Sequence, residues 1–368
     1  MASEEGIVPY KNAIFSPEVD FSAPINYTNF KGKTIVITGG ASGLGAGFFE
    51  EFARHGANVI IGDINEKLGT STVARIRQSS KNDDHHFVKL NVTDWKSQAE
   101  FFKQAARLSV HGGIDCVIAN AGIADDRENA AFENPPDYSS MDNPPAPTMR
   151  TLDINLNGVM YTTNLAISYL SRNQGSRKCS PDAQSATRDR HLMLISSIAG
   201  TAALPTQPIY CTSKHGVLGL FRSLRITMPI VHGIRINVLH PYFVDTPILG
   251  PAGALVLAGG GMAKVEDVVS AGARLVADQS IIGRALMIGS RASVPQMRAA
   301  GFAEPYALED GKAVWDIHGD DFQQTEVFTR RVIAVTNIVT SARGWSGMFS
   351  DIGTKLGGAL FRLIPGYG

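Results

Sequence analysis

Tyr210 and Lys214 stand four residues apart in the run Pro-Ile-Tyr-Cys-Thr-Ser-Lys-His-Gly, a spacing that puts a phenol and an ammonium on one face of a helix. A cation beside a phenol stabilises the phenolate. Free tyrosine, with a pKa of roughly 10, is a poor base near neutrality, and a neighbouring positive charge brings it into range for moving a proton to or from an alcohol or carbonyl oxygen. The pair points to redox chemistry at a C–O centre. A Tyr and a Lys at this spacing also occur on helices that do no chemistry, so the argument needs residues elsewhere that assemble with them.

Those residues begin far upstream. Lys33-Thr34-Ile35-Val36-Ile37-Thr38 reads as a short buried strand, Gly39-Gly40-Ala41-Ser42-Gly43-Leu44-Gly45 as a tight turn, and Ala46 to His55 as the helix after it. This is the first β-α unit of a dinucleotide fold, in which glycines let backbone approach a pyrophosphate and the helix N-terminus meets its charge. The spacing is Gly39-x-x-x-Gly43-x-Gly45, not the more widespread G-x-G-x-x-G. A second buried strand, Ala57-Asn58-Val59-Ile60-Ile61-Gly62-Asp63, ends in an acid. A carboxylate there accepts both ribose hydroxyls of NAD, whereas the 2′-phosphate of NADP meets a like charge. NAD is the expected cofactor and NADP the lesser one.

Taken together, the Thr38-Gly39-x-x-x-Gly43-x-Gly45 loop, Asn120-Ala121-Gly122, Ser197 and Tyr210-x-x-x-Lys214 make the chain resemble the short-chain dehydrogenase/reductase family, from about Phe30 to about Gly289. Ser197-Ile198-Ala199-Gly200 and Tyr210-Cys211-Thr212-Ser213-Lys214-His215-Gly216 are similar to the hydroxyprostaglandin-dehydrogenase-like branch and to enzymes of fungal secondary metabolism. The resemblance implies a catalytic set of Asn155, Ser197, Tyr210 and Lys214. Tyr210 would exchange the proton, Lys214 would lower its pKa and hold the nicotinamide ribose, Ser197 would bind the substrate oxygen, and Asn155 would hold a water leading from Lys214 to solvent. Ser196 competes with Ser197, although the thirteen-residue interval from Ser197 to Tyr210 fits the family better. The expected cofactor shell is Gly39, Ser42, Gly43, Leu44, Gly45, Asp63, Asn91, Val92, Asp94, Asn120, Ala121 and Gly122, with Tyr210, Lys214, Val244 and Thr246 at the nicotinamide end; Asp94 is implied near the adenine. Ser42 is neutral and Ile64 apolar, where relatives that prefer the phosphate tend to carry a base. One departure follows the sixth strand, where Pro241-Tyr242 replaces the usual Pro-Gly and puts an aromatic in the loop beside the nicotinamide.

Strand-like runs near 34–38, 57–62, 86–91, 114–119, 191–196, 234–239 and 285–289 alternate with helical ones near 44–55, 66–79, 95–109, 149–172, 208–228 and 265–278. This predicts an α/β Rossmann fold, a doubly wound parallel sheet of about seven strands over residues 31–290. Residues 1–30 and 291–368 read as extensions. Insertions at 124–148 and 172–190 are longer than the fold needs: the first leaves the ligand-binding edge of the sheet, and the second reads as a solvated excursion on the opposite side. The glycine-rich run from Ile248 to Met262 has the composition of a mobile lid over an apolar substrate. In the tail, Trp345, Met348, Phe349, Ile352, Leu356, Ala359, Leu360 and Leu363 recur at helical spacing, which suits packing on the same or a sister subunit, or contact with a membrane surface.

At 368 residues, 44% hydrophobic and with a formal net charge of zero, the chain can bury a full core and presents no charge footprint for nucleic acid. Its three cysteines, Cys116, Cys179 and Cys211, lack metal or disulfide spacing, and His318, Asp320 and Asp321 read as a polar turn, so no metal is expected. Met1-Ala2-Ser3-Glu4-Glu5 lacks the apolar core of a signal peptide, and a cytoplasmic address follows by default. The reading is an NAD-dependent dehydrogenase for a secondary alcohol or ketone on a medium-sized apolar metabolite, working as a homodimer or homotetramer paired through the helices near 149–172 and 208–228. An NADPH-dependent ketone reductase and a nucleotide-binding scaffold without catalysis are the alternatives.

Overall fold

In the computed structural model, residues 16–179, 188–249, 262–291 and 311–317 are described, with single positions at 295, 335 and 338. Two compact units divide the chain, Ile14–Gly319 and Met1–Ala13 with Asp320–Gly368; every element below belongs to the first. The lid-like run from 250 to 261, the amphipathic tail from Trp345 to Leu363, and His318, Asp320 and Asp321 lie outside the described residues.

Strand β1 (Thr34–Thr38) is Thr-Ile-Val-Ile-Thr and buried along its whole length, as a parallel strand covered on both faces must be. It leads through the glycine turn into α1 (Gly43–Arg54), then β2 (Asn58–Asp63), α2 (Glu66–Ser80), β3 (His86–Lys89), α3 (Trp95–Leu108) and β4 (Cys116–Ala119). The second half runs α4 (Asp126–Glu133), α5 (Arg150–Leu152), a π-turn (Asp153–Asn157), α6 (Gly158–Ser171), β5 (His191–Ile195), α7 (Pro208–Thr227), β6 (Arg235–Pro241), α8 (Val265–Ala277), β7 (Ala285–Ile288) and β8 (Val314–Asp316). The strands lie in the order β3-β2-β1-β4-β5-β6-β7-β8, parallel throughout except that β8 runs antiparallel to β7. The sheet is thus one strand larger than the periodicity predicted. The added strand comes from the stretch read as a C-terminal extension, and at three residues it is too short to show a period.

One core lies on each face of the sheet. Phe48, Phe49 and Phe52 of α1 meet Val268, Leu275 and Val276 of α8 on one side, and Phe101, Phe102, Leu165, Leu170, Val217 and Phe221 fill the other. Chain order reverses between β1 and β4, which opens the crevice where such sheets bind ligands, at the C-terminal ends of the strands.

The opposite edge is held by buried charge. Asp189 accepts from Lys33 Nζ and Arg235 Nε, each at 2.5 Å, and all three residues are buried. Asp115 accepts from Arg188 Nε at 2.9 Å, Asn173 Nδ2 at 2.7 Å and the Thr34 amide at 2.9 Å. The expectation of a solvated excursion over 172–190 is therefore corrected at both described ends. Asn173, Asp189 and Arg190 are buried because they supply the partners that charges at the base of the sheet require.

Candidate active site

Every motif of the sequence reading emerges at the C-terminal edge of the sheet. Glycine is required in the turn after β1 by its geometry: Gly39 has φ +66°, and a Cβ there would sit 2.8 Å from Ala121 Cα. At Gly45 a Cβ would lie 2.1 Å from the Gly39 carbonyl oxygen. Asn120 fixes the turn, donating from Nδ2 to the carbonyls of Thr38 and Gly39, both at 3.0 Å, while the amides of Asn120 and Ala121 donate to Thr38 Oγ1, both at 3.1 Å. Thr72 Oγ1 donates to the Ala41 carbonyl from α2 at 3.0 Å. Ser42, at the N-cap, supplies no side-chain bond to α1, and Leu44 packs against the core.

Asp63 ends β2 half-buried and faces this turn. Its Oδ2 accepts from the Ala41 amide at 3.1 Å and its Oδ1 from the Asn65 amide at 3.0 Å. On the far side, Thr246 lies against Gly43, where a Cβ would be 3.6 Å from Thr246 Cβ, and Val244 is buried in a bridge to Ala263. The remaining candidates are tied up locally. Asn91 is exposed and closes a turn on Thr93; Asp94 is exposed and caps α3 through the Lys96 amide at 2.9 Å; Val92 is buried beneath them against Gly158. Tyr242 carries the sheet ladder forward by donating its amide to the Ile288 carbonyl at 2.8 Å, and its ring packs edge-on to Phe243 at 4.8 Å. The aromatic at this position is thus absorbed by the core beside the loop.

Tyr210 is the third residue of α7 and Lys214 lies one turn on. Lys214 is buried, its Nζ donating to the Ile195 carbonyl at 3.2 Å and lying 5.8 Å from the Tyr210 ring centroid. Burial pulls its pKa down to about 8. The Tyr210 phenol is pushed above its usual 10 by burial, and the neighbouring Ser197 side chain opposes that shift. Burial therefore moves both groups toward their neutral forms, the phenol upward and the ammonium downward.

Ser197 and Ser196 separate cleanly. Ser196 Oγ donates to the Lys214 carbonyl at 3.0 Å and is buried against α7, whereas Ser197 caps the short turn Ile198–Gly200 through the Ala199 amide at 3.2 Å. Asn155 sits in the π-turn and is fully buried. It donates from Nδ2 to the Ile123 carbonyl at 2.8 Å and accepts the Ile123 amide on Oδ1 at 2.8 Å, with Ser213 Oγ 3.2 Å away. Gly122 lies between the π-turn and α7, a Cβ there falling 3.2 Å from Asn155 Oδ1 and 3.6 Å from Lys214 Nζ.

One neighbour went unread in the sequence. His240 of β6 is buried and hydrogen-bonded through Nδ1 to the Ser197 carbonyl at 2.9 Å, while its Nε2 has no hydrogen-bond partner among the described residues. No spacing links it to Ser197, since the two meet only across adjacent strands. A cavity of about 430 Å³ is lined by Ala203, Leu204, Cys211, Thr212 and His215, from the loop and helix that flank Tyr210. Among the described residues no group of three His, Cys, Asp or Glu is placed to hold a metal ion, and no helix is long and apolar enough to cross a membrane.

The cradle fits a dinucleotide. A helix N-terminus without a side-chain cap, glycines that bring backbone close, and a carboxylate with two acceptor sites left over match a pyrophosphate followed by a ribose.

Known proteins bear on this geometry. The short chain dehydrogenase family model matches residues 33–254. A 5'-hydroxyaverantin dehydrogenase of Dothistroma septosporum is 32% identical over 276 residues, 72% of this chain and 86% of the relative. The 15-hydroxyprostaglandin dehydrogenase [NAD(+)] of Mus musculus is 31% identical over 219 residues, 59% of this chain and 70% of that protein. An NADP-dependent dehydrogenase M3 of a Phoma species is 29% identical, with 73% and 78% covered. In fold, the crystal structure of a short-chain type dehydrogenase/reductase from Mycobacterium marinum superposes with a TM-score of 0.59 at 20% identity, covering 72% of this chain and 96% of that one. With a β-α-β cradle and a Ser-Tyr-Lys cluster on one edge of a parallel sheet, this chain belongs to the short-chain dehydrogenase/reductase family and is an NAD(P)-dependent alcohol dehydrogenase or reductase.

Proposed function

We propose that the protein interconverts a secondary alcohol and a ketone on a medium-sized, mostly apolar metabolite of polyketide, terpenoid or lipid-like character, with NAD as the preferred cofactor. The observation that carries this reading is the convergence of Ser197, at the end of β5, with Tyr210 and the buried Lys214, whose Nζ donates to the Ile195 carbonyl at 3.2 Å and lies 5.8 Å from the Tyr210 ring centroid.

The turn 39–45, Asp63 and Asn120 to Gly122 would hold the cofactor, with Val244 and Thr246 beside its nicotinamide end. When bound, a nicotinamide dinucleotide supplies the acceptor or donor of hydride at the substrate carbon. Tyr210 moves the proton at the substrate oxygen, accepting it in oxidation and returning it in reduction. Ser197 holds that oxygen within reach of the phenol and offsets charge as it develops. Lys214 sits where a cation would steady the phenolate, and Asn155 orders the backbone at Ile123 next to it. The Asp63 carboxylate supports NAD over NADP by repulsion of a 2′-phosphate.

The hydroxyaverantin and hydroxyprostaglandin for which two relatives are named, both carbon-rich alcohols, support the substrate class, and so does the Leu204 and Ala203 wall beside α7. A homo-oligomer is part of the same reading. It is supported by exposed Met160 and Tyr161 on α6, the latter edge-on to exposed Trp95 of α3 at 5.5 Å. The test is oxidation of a panel of hydrophobic secondary alcohols, and reduction of their ketones, with each cofactor in turn. Turnover of apolar alcohols with NAD supports the proposal, turnover with NADPH alone favours the ketone reductase, and no turnover with either cofactor returns the chain to a nucleotide-binding scaffold.

A further inference from the structure

The insertion between β4 and α5 contains a helix that performs a task the sequence of α7 leaves undone. Helix α7 starts with Pro208, and its N-cap residue, Gln207, makes no capping bond with its side chain. A helix start needs acceptors for its first-turn N–H groups. Pro208 has none to offer, and the Cys211 amide donates to the Gln207 carbonyl at 2.8 Å. The amides of Ile209 and Tyr210 both donate to one atom, Asn129 Oδ1 of α4, at 2.9 and 3.3 Å. Asn129 is fully buried, and its Nδ2 donates to the Asp125 carbonyl at 2.8 Å and to Gln207 Oε1 at 3.0 Å, which fixes the orientation of the amide. Gln207 Nε2 in turn donates to Asp126 at 2.7 Å. The preceding residue, Glu128, accepts from the Thr151 amide at 3.0 Å and so ties α4 to α5, the turn that leads to Asn155.

We propose that Asn129 is a positioning residue for the reaction: it caps α7 in trans and, by holding the Tyr210 amide, keeps the phenol in register with Ser197. Helices fray from their ends, and Tyr210 lies in the first turn, so the capping bond and the proton-transfer group are separated by one residue's backbone. The inference rests on the reading of Tyr210 as the proton-transfer group, although the cap itself does not.

The test uses the full-length chain and two readouts, turnover with the best alcohol and hydrogen exchange at the Ile209 and Tyr210 amides. Asn129→Leu keeps the branched shape and removes the acceptor. It is expected to speed exchange at those two amides and lower kcat, each by about tenfold, with the KM for cofactor unchanged. Asn129→Asp keeps the acceptor but loses the two Nδ2 donors that orient it, and is expected to protect both amides better than Asn129→Leu and less well than the parent. Adding Gln207→Asp to Asn129→Leu supplies a cap in cis and is expected to restore exchange and kcat together; simple loss of packing around α4 would not be repaired that way. The proposal is overturned if Asn129→Leu leaves exchange or kcat at the parental value, if Asn129→Asp exchanges like Asn129→Leu, or if the cis cap restores neither. Should Tyr210→Phe prove as active as the parent while exchange follows this pattern, the cap stands and the reaction assigned to Tyr210 falls.

Discussion

In the proposed reading cofactor choice turns on Asp63, and the effect of removing it can be worked out from the bonds that its carboxylate makes. A carboxylate has about four acceptor sites. Two are taken by the Ala41 and Asn65 amides, leaving two, the number that a ribose diol can fill. Charge-assisted bonds of this kind are each worth about 1.5–3 kcal/mol, so Asp63→Ala should weaken NAD by at least about tenfold. The same change frees the Ala41 amide inside the glycine turn and loosens the whole cradle, which would weaken any dinucleotide. That second effect acts on NAD and NADP alike and cancels in their ratio. The informative quantity is therefore the ratio of kcat/KM for the two cofactors, expected to favour NAD in the parent, to move toward NADP by about tenfold or more in Asp63→Ala, and to move further when Ser42→Arg adds a guanidinium for the phosphate. A parent that already prefers NADP, or a ratio that Asp63→Ala leaves unmoved, refutes the electrostatic argument.

Two further predictions concern stability. Asp189→Asn should destabilise the protein by about 3–5 kcal/mol in chemical denaturation, because Lys33 and Arg235 would remain buried without their counter-charge; a loss below about 1 kcal/mol would show that these cations find other partners. His240 is held down to about 4 by burial against its usual 6.5, the bond to the Ser197 carbonyl opposing the shift and the charges of Lys214, Arg222 and His215 adding to it. The unfolded chain takes up this proton first as pH falls. His240 therefore contributes fully above about 6.5 and loses on the order of 3 kcal/mol by pH 4, so His240→Gln should flatten that limb of the stability curve, and an unchanged slope would contradict the assignment.

Much of this architecture was legible because its signals are local. The all-apolar runs at Ile35 to Ile37 and Val59 to Ile61 can only be strands covered on both faces, and Gly39 and Gly45 mark a turn that tolerates no Cβ. Helix α4 was missed inside a proline-rich insertion, although Asp125 followed three residues later by Glu128 is a helix-start pattern, and Asp125 does cap the helix through the Arg127 and Glu128 amides. The π-turn around Asn155 leaves no periodic trace. Asp189 and Lys33 are 156 residues apart, and nothing along the chain announces that they meet. His240 and Asn129 belong to the same class. Each bonds to the backbone of a residue proposed for the chemistry, Ser197 or Tyr210, through a contact made only once the sheet and helices are assembled. The Tyr210–Lys214 spacing was informative about position, while the burial that bears on both groups is something a spacing cannot report.

The most direct test of the central claim is Tyr210→Phe, which removes one hydroxyl from a half-buried ring and leaves the cradle at Gly39 to Gly45 and Asp63 untouched. With the alcohol and cofactor that the parent prefers, kcat should fall by roughly 10²–10⁴-fold while the Kd for the reduced cofactor, measured by fluorescence titration, stays within about twofold of the parent. Turnover within about threefold of the parent, at unchanged cofactor affinity, would mean that the proton moves through some other group and that the Ser197–Tyr210–Lys214 cluster is not where the chemistry occurs.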